Sequence, residues 1–180
     1  RGIFMLRNKE LEWFYQSGCS FIYPDAWEKY LDPIPENERS TMIKSYYKRL
    51  TSNNKEIRIK AAKAWSIWEA STSKLIQSKD SLHSFNDDRV AEAFARIECH
   101  YFINKGFFKN DSWILDNVYK INKIPTYIVQ GRYDVVCPMT SAWELHKKLP
   151  NAKLEIIQDS GHSMLEIGIQ KKLIEITNSI

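Results

Sequence analysis

Residues 125–163 read PTYIVQGRYDVVCPMTSAWELHKKLPNAKLEIIQDSGHS. An apolar run from Pro125 to Gln130 stops at Gly131, a helical pattern follows from Met139 to Leu149, and a second apolar run covers Leu154 to Gln158. Strand, helix, strand at this spacing predicts a parallel βαβ unit, because parallel neighbours need a crossover to bring the chain back to the same edge. A further helix is expected from Gln170 to the end of the sequence. In parallel sheets ligands bind beyond the carboxyl ends of the strands, so the loops after Gln130 and Gln158 are where chemistry is expected. The first carries Asp134; the second reads Asp159-Ser160-Gly161-His162-Ser163.

An aspartate and a histidine on neighbouring strand ends, in that order and about 28 residues apart, match the orienter and base of a nucleophile-acid-histidine triad. Singly they say little. Aspartate after a strand is a common turn residue or helix cap, and a loop histidine can be a cap or a surface group. Together they make the triad the favoured reading. No serine stands in a Gly-x-Ser-x-Gly elbow, and Ser160 and Ser163 flank His162 too closely to aim at it.

Upstream of this unit the pattern changes. Gly2 to Leu6 is a short apolar run expected to form a buried strand, whereas Leu11 to about Tyr119 is helical in character, broken most clearly at Asp32-Pro33-Ile34-Pro35. Helices are expected over Glu36–Leu50, over Lys55–Glu69 with Ile57, Ala61, Ala64, Trp65 and Trp68 at helical spacing, and over Asp87–Tyr101. Asn86 is the expected N-cap of the last, with Asp87 and Asp88 in its first turn. That helix is expected to bury Val90, Phe94, Ile97 and Tyr101, with Ala91, Ala95, Glu98 and Phe102 as an adjacent stripe. The chain therefore reads as an α/β core over 1–10 and 121–180 around an all-helical domain over 11–120. Three strands leave a parallel sheet open at its edges, so further strands are expected before residue 1.

Glu69 and Glu98 sit at the edges of apolar helix faces. Either they are flank charges paired with a basic side chain such as Arg96, or they line a pocket for an organic cation; the pattern leaves both open.

Composition narrows the classes. With 180 residues, 43% of them hydrophobic, and six Trp, nine Tyr and eight Phe, the chain can build a core and is not disordered. Its 26 Lys and Arg against 22 Asp and Glu are scattered, without the basic block that nucleic-acid binding calls for. No apolar run approaches the roughly 20 residues of a membrane span. Cys19, Cys99 and Cys137 are odd in number and lack paired spacing, which points to a reducing cytoplasm and away from a disulfide framework. A metal site from Cys99, His100, Cys137 and His162 has no ligand pair at metal-binding spacing on one element. The first residues, Arg1-Gly2-Ile3-Phe4, carry no initiator Met and no signal pattern, as expected of a segment of something longer.

Block by block, the chain resembles the C-terminal part of the proline iminopeptidase (prolyl aminopeptidase) family of α/β-hydrolase-fold serine peptidases. The matching blocks are RGIF (Arg1–Phe4), WFYQ through Gly18, PDAW (Pro24–Trp27), RLTS (Arg49–Ser52), AAKAWSIWE (Ala61–Glu69), FARIECHYF (Phe94–Phe102), GRYDVVCP (Gly131–Pro138) and SGHS (Ser160–Ser163). The resemblance implies an α/β-hydrolase fold, here the last three strands of its parallel sheet with an inserted helical cap, and an activity that releases N-terminal proline from peptides. It implies that Asp134 and His162 are triad acid and base, and that Glu69 and Glu98 hold the substrate's charged imino nitrogen. Phe4, Phe14 and Phe102 would surround the proline ring, with Cys137 lining the same pocket; Phe14 stands where tyrosine is common in the family. No cofactor or metal is implied. The family's GGSWG-type nucleophile elbow and HGGPG-type oxyanion loop are absent from these 180 residues, so the remaining N-terminal part of the core is an expected partner. Two other readings stay open: another α/β hydrolase, such as an esterase or epoxide hydrolase, or a non-catalytic fragment that only binds amines.

Overall fold

The computed structural model describes residues 2–77 and 87–180; Arg1 and the expected cap Asn86 lie outside the described residues. The helices are α1 (Asn8–Tyr15), α2 (Pro24–Leu31), α3 (Met42–Leu50), α4 (Lys55–Thr72), α5 (Asp88–Ile103), α6 (Trp113–Asn117), α7 (Met139–Lys148) and α8 (Ile167–Thr177), and the strands are β1 (Thr126–Gly131) and β2 (Ala152–Ile157). The chain divides into two compact units, one comprising Arg1–Glu10, Ser73–Ile76 and Phe108–Ile180, the other Leu11–Thr72 and Gln77–Phe107. None of the described helices is long and apolar enough to cross a membrane.

In the first unit β1 and β2 pair in parallel, from Thr126 against Ala152 to Gly131 against Ile157, with α7 as the crossover. Ile128, Val118, Ala142, Leu145, Leu149 and Ala152 form its buried core, and Ile3, Ile114, Leu115 and Leu154 pack on it. The expected third strand over Gly2–Leu6 is absent: among the described residues the sheet has two strands. Local chemistry diverts that segment from a ladder. The N–H groups of Met5 and Arg7 donate to Glu10 Oε2 at 2.8 and 3.2 Å, and Leu6 takes a positive φ of 58°, which a strand cannot hold. Glu10 Oε1 accepts in turn from Arg7 Nη2 at 2.7 Å and from Ser141 Oγ at 2.5 Å, so this buried network joins residues 5–10 to α7.

The second unit is all helical. The expected helix over Glu36–Leu50 is a 3-10 segment, Glu36–Thr41, followed by α3. α4 runs on to Thr72 and buries Ala61, Ala62, Trp65, Ser66, Trp68 and Glu69, leaving Ile57 exposed. α5 shows the largest departure from the sequence pattern. Its buried face is Ala91, Ala95, Cys99 and Phe102, whereas Val90 and Ile97 are 48% and 60% exposed. The reason is volume. α5 approaches α4 closely, Ser66 Oγ donating to Ala91 O at 3.4 Å, and a close-packed approach of this kind admits small residues even though the opposite side of α5 is more apolar. Ile97 and Tyr101 instead line, with Tyr47, Leu50, Arg96 and His100, an open cavity of about 740 Å³. Asp87 is the N-cap of α5: its carboxylate accepts from Arg89 N and Val90 N at 2.8 and 3.1 Å, and these bonds hold its pKa below the usual range.

A continuous aromatic cluster fills this unit. Tyr30 stacks on Tyr46 at 4.6 Å, Tyr15 on Trp65 at 4.6 Å, and Trp68 contacts Phe14, Trp27 and Tyr30 at 5.1 to 5.7 Å.

Candidate active site

β1 and β2 are in register, so the loops leaving their carboxyl ends start side by side and backbone bonds stitch them together. Arg132 N donates to Ile157 O at 2.8 Å and Tyr133 N to Ser160 O at 3.0 Å. Gly131 is required at this crossing: a Cβ there would lie 1.9 Å from Gly161 O and 2.6 Å from Ser160 O. On the far side, His162 N and Ser163 N both donate to Ser73 O, and Gly161 N to Glu166 Oε1 at 2.9 Å. The histidine loop is thus held at both flanks.

The result is a buried carboxylate against an imidazole. Asp134 is 4% exposed, and His162 Nδ1 lies 3.0 Å from Asp134 Oδ2 and 3.2 Å from Oδ1. Two further donors fix the carboxylate: Cys137 N–H to Oδ1 at 2.7 Å and Gln130 Nε2 to Oδ2 at 3.1 Å, the same amide also reaching Cys137 O at 3.0 Å. A carboxylate only accepts, so the proton of this pair sits on Nδ1 and Nε2 is left with its lone pair. Such an imidazole can take a proton from a hydroxyl nucleophile and return it to a leaving group. Gly2 covers the pair from one side: a Cβ at Gly2 would fall 2.5 Å from Asp134 Oδ2 and 3.2 Å from His162 Nδ1.

Neither flanking serine is arranged as a nucleophile. Ser160 is buried beneath the loop, and Ser163 Oγ accepts from Leu165 N at 3.3 Å. Asp134, Cys137 and His162 bring an oxygen, a sulfur and a nitrogen within 4.8 Å of one another, but the carboxylate's bonds to Nδ1, Cys137 N and Gln130 already organise that group. Cys99 and His100 belong to the helical unit, where burial, then the Glu98 charge, pushes the Cys99 thiol up to about 12.

The helical unit brings Glu69 and Glu98 around one tyrosine. Tyr15 donates its hydroxyl to Glu69 Oε1, and Trp65 Nε1 donates to Glu98 Oε2 at 2.9 Å. Burial, then the charges of Glu69 and Glu98, raises the Tyr15 pKa well above its ordinary value. Arg96, named above as a candidate partner for these glutamates, pairs with Glu92 at 3.1 Å instead. Phe14 meets Tyr15 edge to face at 4.8 Å, and Phe102 lies 5.0 Å from the same ring. Phe4 and Cys137 belong to the strand-bearing unit, Phe4 half-buried and Cys137 buried.

Sequence reasoning passed over Gln130, Gly2, Tyr15 and Trp65. Gln130 carried a signal, as an amide closing the apolar run PTYIVQ directly before the loop of Asp134. Tyr15 and Trp65 carried none, because their polar atoms matter only once the helices have met.

Comparison with known proteins follows the same lines. A family model of the alpha/beta hydrolase fold matches residues 18–168. The chain is 61% identical over 178 residues to a probable proline iminopeptidase of Leptolyngbya boryana, covering 99% of this chain and 56% of that protein. It is 55% identical to the proline iminopeptidase of Arabidopsis thaliana (97% of this chain, 46% of the relative) and 52% identical to that of Xanthomonas citri (99% and 57%). The chain spans about half the length of the curated relatives it matches. With its parallel strand pair, its strand-end loops and a family match over most of its length, this chain belongs to the alpha/beta hydrolase fold family.

Proposed function

We propose that this chain is the acid-base and cap-bearing part of a serine aminopeptidase that releases proline from the N-terminus of peptides. The observation that carries the reading is the 3.0 Å contact between buried Asp134 and His162 at the ends of adjacent parallel strands; the names of the relatives support the substrate class. The nucleophile is a serine outside these residues, consistent with the share of the relatives that the chain spans. Its hydroxyl attacks the carbonyl of the N-terminal proline as His162 Nε2 takes the hydroxyl proton. The carbon–nitrogen bond to the next residue breaks as Nε2 returns that proton to the leaving amine, and water hydrolyses the acyl-enzyme by the same route. Asp134 holds the imidazole tautomer and stabilises the imidazolium.

Selectivity for a free N-terminus is assigned to Glu69 and Glu98. An α-amino group has an ordinary pKa of about 7.7 to 8.0 and is largely cationic near neutrality. Each charge-assisted contact contributes roughly 1.5 to 3 kcal/mol, a contribution that an internal proline, which brings no cation, does not make. Glu69→Gln in the full-length protein is therefore expected to lower kcat/KM for a proline anilide at least tenfold, by about 1.5 kcal/mol or more. Steady-state kinetics check this, and an unchanged kcat/KM would remove Glu69 from the amine site.

A further inference from the structure

Glu166 is the N-cap residue of α8, yet no N–H of that helix donates to its side chain. Glutamate is not among the residues favoured at an N-cap, where a shorter Asp, Asn or Ser reaches the first-turn N–H groups. The carboxylate is turned to another use. Its Oε1 accepts from Gly161 N at 2.9 Å and its Oε2 from Leu75 N at 3.3 Å. Gly161 immediately precedes His162, and Leu75 lies in a strap, residues 73–76, that belongs to the same unit as the histidine loop. Strap and loop are joined a second time at Ser73 O, which accepts from His162 N at 3.0 Å and from Ser163 N at 2.8 Å. The fit between them is tight. A Cβ on Gly161 would lie 2.9 Å from Leu75 N and 3.1 Å from Glu166 Oε1.

We propose that Glu166 is a positioning residue of the base, a carboxylate clamp that fixes the backbone entering His162 against the strap and so holds the imidazole on Asp134. The inference rests on the triad reading of Asp134 and His162 given above. A side chain carried on a loop is only as well placed as the backbone beneath it, and productive geometry is held to within about 0.5 Å. Here three consecutive N–H groups, those of Gly161, His162 and Ser163, are all bonded, the first by Glu166 and the other two by Ser73 O. A carboxylate suits the Gly161 and Leu75 pair because it only accepts and has two oxygens, one for each N–H. Docking of α8 has its own support: Ile169 is buried, and a Cβ on Gly168 would lie 2.6 Å from the Ile157 side chain.

The competing role for a carboxylate in this place is a negative charge at the positive end of α8, and two variants separate the roles. Glu166→Asp keeps the charge at the helix end but is one methylene too short to span both N–H groups. Glu166→Gln keeps the length but turns an amide NH2, donor to donor, onto one of them. In the full-length protein both are expected to lower kcat on proline p-nitroanilide about tenfold or more, with KM within about twofold of wild type. Both are also expected to broaden the proton NMR resonance of His162 Nδ1–H, identified well downfield of the amides by its loss in Asp134→Asn; a smaller folded fraction alone lowers its height and leaves its width. Wild-type kcat with an unchanged resonance in Glu166→Gln overturns the clamp, and so does a Glu166→Asp variant that restores both. Either variant decides if the other does not fold. Wild-type turnover in Asp134→Asn overturns the triad reading itself.

Discussion

Replacing Asp134 by asparagine in the full-length protein is expected to lower kcat on a proline anilide by roughly 10³ to 10⁴, the size seen when a triad acid is neutralised without loss of shape. The local hydrogen bonding says why a near-isosteric change is so costly. The Asp134 carboxylate accepts from three directions: Cys137 N–H on Oδ1, Gln130 Nε2 on Oδ2, and His162 Nδ1 on both. An asparagine oxygen can keep the Cys137 bond. Its amide nitrogen must then replace Oδ2, where it faces the Gln130 amide donor to donor and offers hydrogens to Nδ1. The imidazole responds by protonating Nε2, the tautomer that cannot take a proton from a nucleophile. On the proposed reading the substrate's amine meets Glu69 and Glu98, which this change leaves untouched, so the loss belongs in kcat, and stopped-time product assays separate it from KM. Turnover within about threefold of wild type would sink the triad assignment.

Trp68→Ala is the second large effect, on stability. Trp68 is fully buried, its ring contacts Phe14, Trp27 and Tyr30, and its Nε1 donates to Phe14 O at 3.2 Å. Truncation removes the transfer energy of an indole, leaves a cavity among rings that are themselves anchored, and strands a buried carbonyl. Losses of about 3 to 5 kcal/mol are typical of such sites. Tyr30 and Tyr46 cannot collapse into the space, because Tyr46 OH is tied to Tyr30 O at 2.5 Å. Urea unfolding followed by far-ultraviolet circular dichroism checks this, with Trp68→Phe expected to cost less, since it keeps a ring in the cluster. A loss below about 1 kcal/mol for the alanine variant would mean that the aromatic cluster is not the core of the helical unit.

The strand-helix-strand unit was legible because parallel pairing demands a crossover and Gly131 and Gly161 mark its loops. Both strand-end loops were legible for the same reason: ligands of parallel sheets gather at strand ends, so Asp134 and His162 stood out as candidates against the apolar runs before them. The segment Gly2–Leu6 was misread because hydrophobicity alone does not make a strand. Its N–H groups bond a glutamate five residues on, and its apolar side chain Ile3 packs on the core without a ladder. The buried face of α5 was misread because periodicity ranks residues by polarity, whereas the interior selected them by size.

The sequence by itself determined the α/β arrangement and singled out Asp134 and His162 as candidates at adjacent strand ends, since each depends on local pattern and on chain order. Only the tertiary structure decided which side chains hold those groups. Gln130, Cys137 N–H, Tyr15 and Trp65 act through single hydrogen bonds to carboxylates 3 to 54 residues away. Bonds of that kind depend on how loops and helices are brought together, and no spacing within one element records them.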